Sequence, residues 1–133
     1  MNDSAKAVIE RCAQGSEEGC IGFGAVVGTL IRAGGESYFA DYRNHVITYS
    51  LPTGAMHRRQ LKVPPAQIPE SFDAAALPAA IKGSQRNEVK YPEFKQRSMA
   101  PGSVGYIVWI AGRHVKCSGR RGEMHVERFP PAN

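Results

Sequence analysis

Cysteine and long apolar runs are scarce in this chain of 133 residues, and each scarcity removes a class of protein. The three cysteines, Cys12, Cys20 and Cys117, are odd in number and show no CxxC spacing. A disulfide scaffold is therefore excluded, and a reducing, cytoplasmic setting is expected. The longest apolar stretch, residues 21–31, is interrupted by Gly22, Gly24 and Gly28 and is too short to cross a bilayer. The opening residues, MNDSAKAVIERC, have no basic segment followed by an apolar one, so no secretory signal is expected. There is no GxGxxG, no Walker loop and no GxSxG elbow. Acidic residues are also in deficit, with 12 Asp+Glu against 17 Lys+Arg for a net charge of +5. What remains is an ordinary globular composition, 42% hydrophobic and 22% charged, at a length suited to one domain.

An internal repeat is expected, in preference to chance similarity between two α/β segments. Shifting the chain by 68 positions aligns residues 5–59 with 73–127 without a gap. Nine of these 55 positions are identical: Ala7/Ala75, Gly15/Gly83, Ser16/Ser84, Gly34/Gly102, Tyr38/Tyr106, Ser50/Ser118, Gly54/Gly122, Met56/Met124 and His57/His125. Glycines meet glycines where turns belong, and Ile9/Leu77, Ile21/Val89, Phe23/Tyr91 and Ile47/Val115 keep apolar character.

Each copy predicts helix, helix, β-meander. The first helices are expected over 4–14 and 73–83, capped by Asp3 or Ser4 and by Ser71 or Asp73, with Pro78 near the first turn. Polar loops, GSEEG and GSQRN, should follow. Second helices are expected over 23–33 and 91–100, ended by Gly34 and Gly102. Strands are expected over 37–42, 46–51 and 55–61, then 104–111, 114–118 and 123–129. A Pro-rich linker, 63–72, joins the copies, and FPPAN is expected to be a loose tail. The fold class is thus α+β, an internal duplication with antiparallel strands and the helices packed on one face. Residues 104–110 are apolar on both faces, which suits a central strand or contact with a partner chain.

Several residue groups could carry chemistry. The helix–loop–helix units have the cadence of an EF-hand, but Gln14, Ser16, Glu18 and Ala25, or Lys82, Ser84, Arg86 and Glu93, would occupy the calcium positions. Cations there repel calcium, so no metal is expected. His57 and His125 recur in GAMH and GEMH, and Glu127 shares a strand face with His125. Such a pair could transfer protons in a small enzyme, although solvated strand-end histidines are the plainer reading. Tyr38, Tyr42 and Tyr106 with Arg43 could wall a site for a small anionic or planar ligand, or simply pack sheet against helices. Arg113, Lys116, Arg120 and Arg121 cluster in one hairpin and could touch phosphates, though a solvated hairpin is preferred over nucleic-acid binding. The first 68 residues carry a net +1 and the remainder +4, so most of the excess charge belongs to the second half.

At ESYFADYRNHVITYSLPTGAMH and SVGYIVWIAGRHVKCSGRRGEMHVERFP the chain resembles the YbcV-like family of short bacterial and prophage-associated proteins, some of them labelled phage envelope proteins. The resemblance spans about residues 5–130 and implies no activity, cofactor or catalytic residue. Nothing in the sequence suggests a capsid β-sandwich or a membrane anchor. The preferred expectation is a non-enzymatic small-ligand or protein-interaction module without a cofactor, compatible with a homodimer and with no membrane partner.

Overall fold

Burial alternates along the strands, and that alternation sets the layers. The computed structural model describes residues 1–130. In β1 (Ser37–Asp41) Tyr38 and Ala40 are buried while Phe39 is exposed. In β2 (Val46–Ser50) the buried pair is Ile47 and Tyr49. In β3 (Met56–Gln60) His57 and Arg59 are half-buried between exposed neighbours. The same pattern recurs in β5 (His114–Gly119) and β6 (Met124–Arg128). Between the two triplets, β4 (Ser103–Trp109) is buried along most of its length. The six strands form one antiparallel sheet in the order β3-β2-β1-β4-β5-β6. Helices α1 (Asp3–Glu17), α2 (Phe23–Arg32), α3 (Leu77–Gln85) and α4 (Tyr91–Met99) cover one face, giving the expected α+β architecture.

The two central strands pair symmetrically about one point. Phe39 lies opposite Ile107, its counterpart at the 68-residue shift, and Ser37 lies opposite Trp109 as Asp41 lies opposite Gly105. The backbone approach is close there, since a Cβ on Gly105 would sit 2.3 Å from the Ala40 carbonyl oxygen. The strand apolar on both faces is therefore the central one. The outer face of the sheet stays open there, with Phe39 of β1 and Trp109 of β4 exposed.

The first helices end later than the sequence suggests. Residues Gly15–Glu17 and Gly83–Gln85, expected in loops, continue the helices. The stop comes instead at Gly19 and Asn87, both in the left-handed backbone region (φ +73° and 64°). At each of these caps two backbone bonds close a Schellman motif, from Gly19 to Ser16 and Cys20 to Gly15, and from Asn87 to Ser84 and Glu88 to Gly83. Asn2, not Asp3 or Ser4, caps α1, accepting from the Ala5 amide at 2.8 Å. Pro78 sits in the first turn of α3 as expected, preceded by a 3₁₀ turn over Ala74–Ala76. The eight described residues with positive φ fall into four pairs 68 apart: 19/87, 34/102, 45/113 and 54/122.

The Pro-rich segment 63–72 has no regular structure, yet Val63, Ile68 and Phe72 pack on the core. Of the expected tail, Phe129 packs edge-on against Phe23 at 5.4 Å. Residues 131–133 lie outside the described residues.

Candidate functional site: a cleft between the two halves

Where the helix layer meets the centre of the sheet, the side chains leave a narrow cleft with a cavity volume of about 40 Å³. Fourteen of its lining residues are partners at the 68-residue shift: Ala13/Ile81, Ser16/Ser84, Glu17/Gln85, Phe23/Tyr91, Val26/Phe94, Tyr38/Tyr106 and Ile47/Val115. Both halves therefore contribute the same positions. Arg59, Tyr49 and Leu61 widen the lining on the side of the first half. The lining is mostly apolar and aromatic, with a few polar groups, as in sites that hold small organic molecules.

The aromatic wall is built by packing and hydrogen bonds together. Tyr106 lies edge-on to Tyr38 (6.2 Å) and to Phe94 (5.4 Å), and its hydroxyl donates to the Tyr91 hydroxyl at 2.7 Å. Tyr42 lies deeper and bonds the Ser98 hydroxyl at 2.7 Å. Burial holds the phenols of Tyr38, Tyr42, Tyr49, Tyr91 and Tyr106 above the ordinary tyrosine range, because a phenolate there would lose its water. Burial likewise pushes the Cys117 thiol up to about 12 and raises that of Cys12. Neither thiol is poised as a nucleophile.

One charged pair is sealed in beside the cleft. Lys95 on α4 reaches Glu17 Oε1 on α1 at 2.7 Å, with 4% of each side chain exposed. The Lys95 ammonium also donates to the Lys62 carbonyl at 2.5 Å and lies 4.7 Å from the Tyr91 ring centre. Glu17 Oε2 accepts from the Lys62 amide at 3.1 Å. These contacts join helices from both halves to the segment between them. Sequence reasoning missed the pair, since 78 residues separate its members and no local spacing links them.

No family model and no curated protein matches the chain. Its chemistry is therefore read from the residues themselves. Among the described residues, no helix is long and apolar enough to cross a membrane. Among them, too, no three His, Cys, Asp or Glu side chains group as metal ligands.

The structure separates the two histidines. His57 is on β3 and His125 on β6, the opposite edges of the sheet, and five strand spacings of about 4.8 Å put them roughly 24 Å apart. His57 Nε2 meets Glu10 Oε1 at 2.5 Å, whereas His125 Nε2 meets Glu127 Oε2 at 3.0 Å. Glu127 also lies 3.5 Å from Lys82. Each imidazole thus has its own carboxylate, and the two share no cleft.

The tyrosine group is partly brought together. Tyr38 and Tyr106 line the cleft, but Tyr42 is packed beneath it and Arg43 is exposed in the β1–β2 turn. The cation at the cleft is Arg59, which strand alternation in RRQ could have placed on the helix side opposite Ile47. The basic hairpin is tied down: Arg113 donates to the Pro130 carbonyl (2.9 Å), Arg120 to the Ile68 carbonyl (3.2 Å), and Arg121 pairs with Glu70 (2.6 Å). Lys116 sits apart from these three, on the open face of the sheet opposite Ile107.

Proposed function

We propose that this chain is a non-enzymatic binding module that holds a small, flat, apolar molecule in the cleft between its two halves. The observation that carries the reading is the lining itself, an aromatic and aliphatic wall to which the two halves contribute matching positions. The acidic groups at the wall are already committed: the phenols are held neutral by burial, and Glu17 is saturated by Lys95 and the Lys62 amide. Neither arrangement supplies a free general base or nucleophile. In this conformation the enclosed part of the cleft has room for about three waters. A ligand therefore enters by displacing side chains at the mouth, where Ser16 and Ser84 are half-buried.

The paired positive-φ residues and the Phe39–Ile107 register support an origin by duplication of one helix–helix–meander unit. The three free cysteines, two of them buried, support a reducing cytoplasm. The residues quoted above support placement in the YbcV-like bacterial and prophage group.

The neutral fluorophore N-phenyl-1-naphthylamine tests the binding reading. It is expected to bind the native protein at one site with a blue-shifted emission. Ser84→Leu, which fills the mouth from α3, should weaken binding at least about tenfold, the effect of roughly 1.4 kcal/mol, while leaving the thermal midpoint nearly unchanged. Absence of saturable binding, or equal binding by Ser84→Leu, would show that the cleft is only an imperfectly packed core.

A further inference from the structure

Arg59 holds a buried nitrogen, Nη1, that has no hydrogen-bond partner among the described residues. Buried polar groups are almost always paired, so an orphan of this kind calls for an acceptor. The planar guanidinium has one edge already in use. Nε and Nη2 share one edge, and that edge faces α1: Nη2 donates to Gln14 Oε1 at 3.3 Å, and Nε lies 3.9 Å from Glu10 Oε2. Nη1 lies in the same plane, off that edge, and hydrogen-bonds to neither of them. The nearby carboxylates are occupied as well, Glu10 by His57 and Glu17 by Lys95 and the Lys62 amide. Arg59 itself is part of the cleft wall, in register with Ile47 and diagonal to Tyr49.

We propose that the molecule taken by the cleft carries a single anionic head group, a carboxylate or similar oxyanion, received by Nη1 of Arg59. Its flat apolar body lies along Tyr38, Tyr106 and Phe23. The inference rests on the cleft reading above and adds the charge of the ligand. A ligand without an acceptor leaves Nη1 unpaired, and a neutral acceptor pairs it without offsetting the guanidinium charge. An oxyanion does both, since arginine and oxyanion then form a charge-assisted pair ionised on both sides.

The test uses two probes that differ by one sulfonate, N-phenyl-1-naphthylamine and 8-anilinonaphthalene-1-sulfonate. The native protein is expected to bind the sulfonate about tenfold more tightly than its neutral parent. Arg59→Gln should bring the two affinities together by weakening the sulfonate alone. Arg58→Gln removes the neighbouring charge from the open face of the same strand and should leave the preference intact. Arg59→Met, which keeps the aliphatic packing, carries the same test if the glutamine variant does not fold, and the native ratio needs no variant. Equal affinities in the native protein, a preference that survives loss of Arg59, or one lost equally with Arg58 would each overturn the anionic head group. In those cases saturable binding of the neutral probe still upholds the cleft. Binding of neither probe removes both readings.

Discussion

Raising the pH past 10 should unfold this protein in one steep step, with all five tyrosines ionising together. Every tyrosine in the chain belongs to the central cluster, and burial raises each phenol above its ordinary value of 10.0. The unfolded chain releases these protons near pH 10, whereas the native state keeps them. The stability they contribute is therefore whole below pH 10 and is lost as the pH rises above it. Five protons at about 1.4 kcal/mol per pH unit each give a slope of up to about 7 kcal/mol per unit. Against a typical stability of about 5–15 kcal/mol, unfolding should fall within roughly two units of pH 10. Phenolate absorbance near 295 nm and far-ultraviolet circular dichroism should change at the same pH. Gradual phenolate formation near pH 10 with the fold intact would mean that these rings are open to water.

Replacing Lys95 by methionine should cost about 3–5 kcal/mol, because it leaves the Glu17 carboxylate buried without its counter-ion. The chemical-denaturation midpoint would report the loss. The double variant Glu17→Leu with Lys95→Met should be more stable than Lys95→Met alone, by about 2 kcal/mol or more, since no uncompensated charge remains. It should not recover fully, because the Lys62 amide and carbonyl lose their partners. An additive double variant would show that the pair is solvated in solution and does not join the halves.

The elements were legible in the sequence because their signals are local. Gly34 closes α2 with the cap bonds expected of it, its amide on Ile31 and that of Gly35 on Leu30. Apolar residues on both faces of 104–110 place β4 at the sheet centre. The helix ends were less legible, since Gly15 and Gly83 read as loop starters although neither adopts positive φ. Close packing accounts for the glycine at 83, where a Cβ would meet Val89 at 2.7 Å, whereas at Gly15 it would meet Ile21 only at 3.4 Å. The site was legible only in part. Tyr38 and Tyr106 follow from the repeat and from alternation, but the position of a cation depends on the order of the strands and on the face it takes. Arg43 is closer to the tyrosines in sequence, and the turn directs it to solvent. Arg59, two strands away from Tyr38, faces the cleft. Glu17 and Lys95 meet only because the halves pack, which no spacing encodes.

The most direct measurement is a titration of the ¹⁵N-labelled chain with N-phenyl-1-naphthylamine, followed residue by residue in amide spectra. The cleft account predicts one saturable site with the largest shifts in both halves together, at Phe23, Tyr38, Ser84 and Tyr106. Shifts confined to the open sheet face, around Phe39, Trp109 and Val126, or no shifts at all, would contradict it.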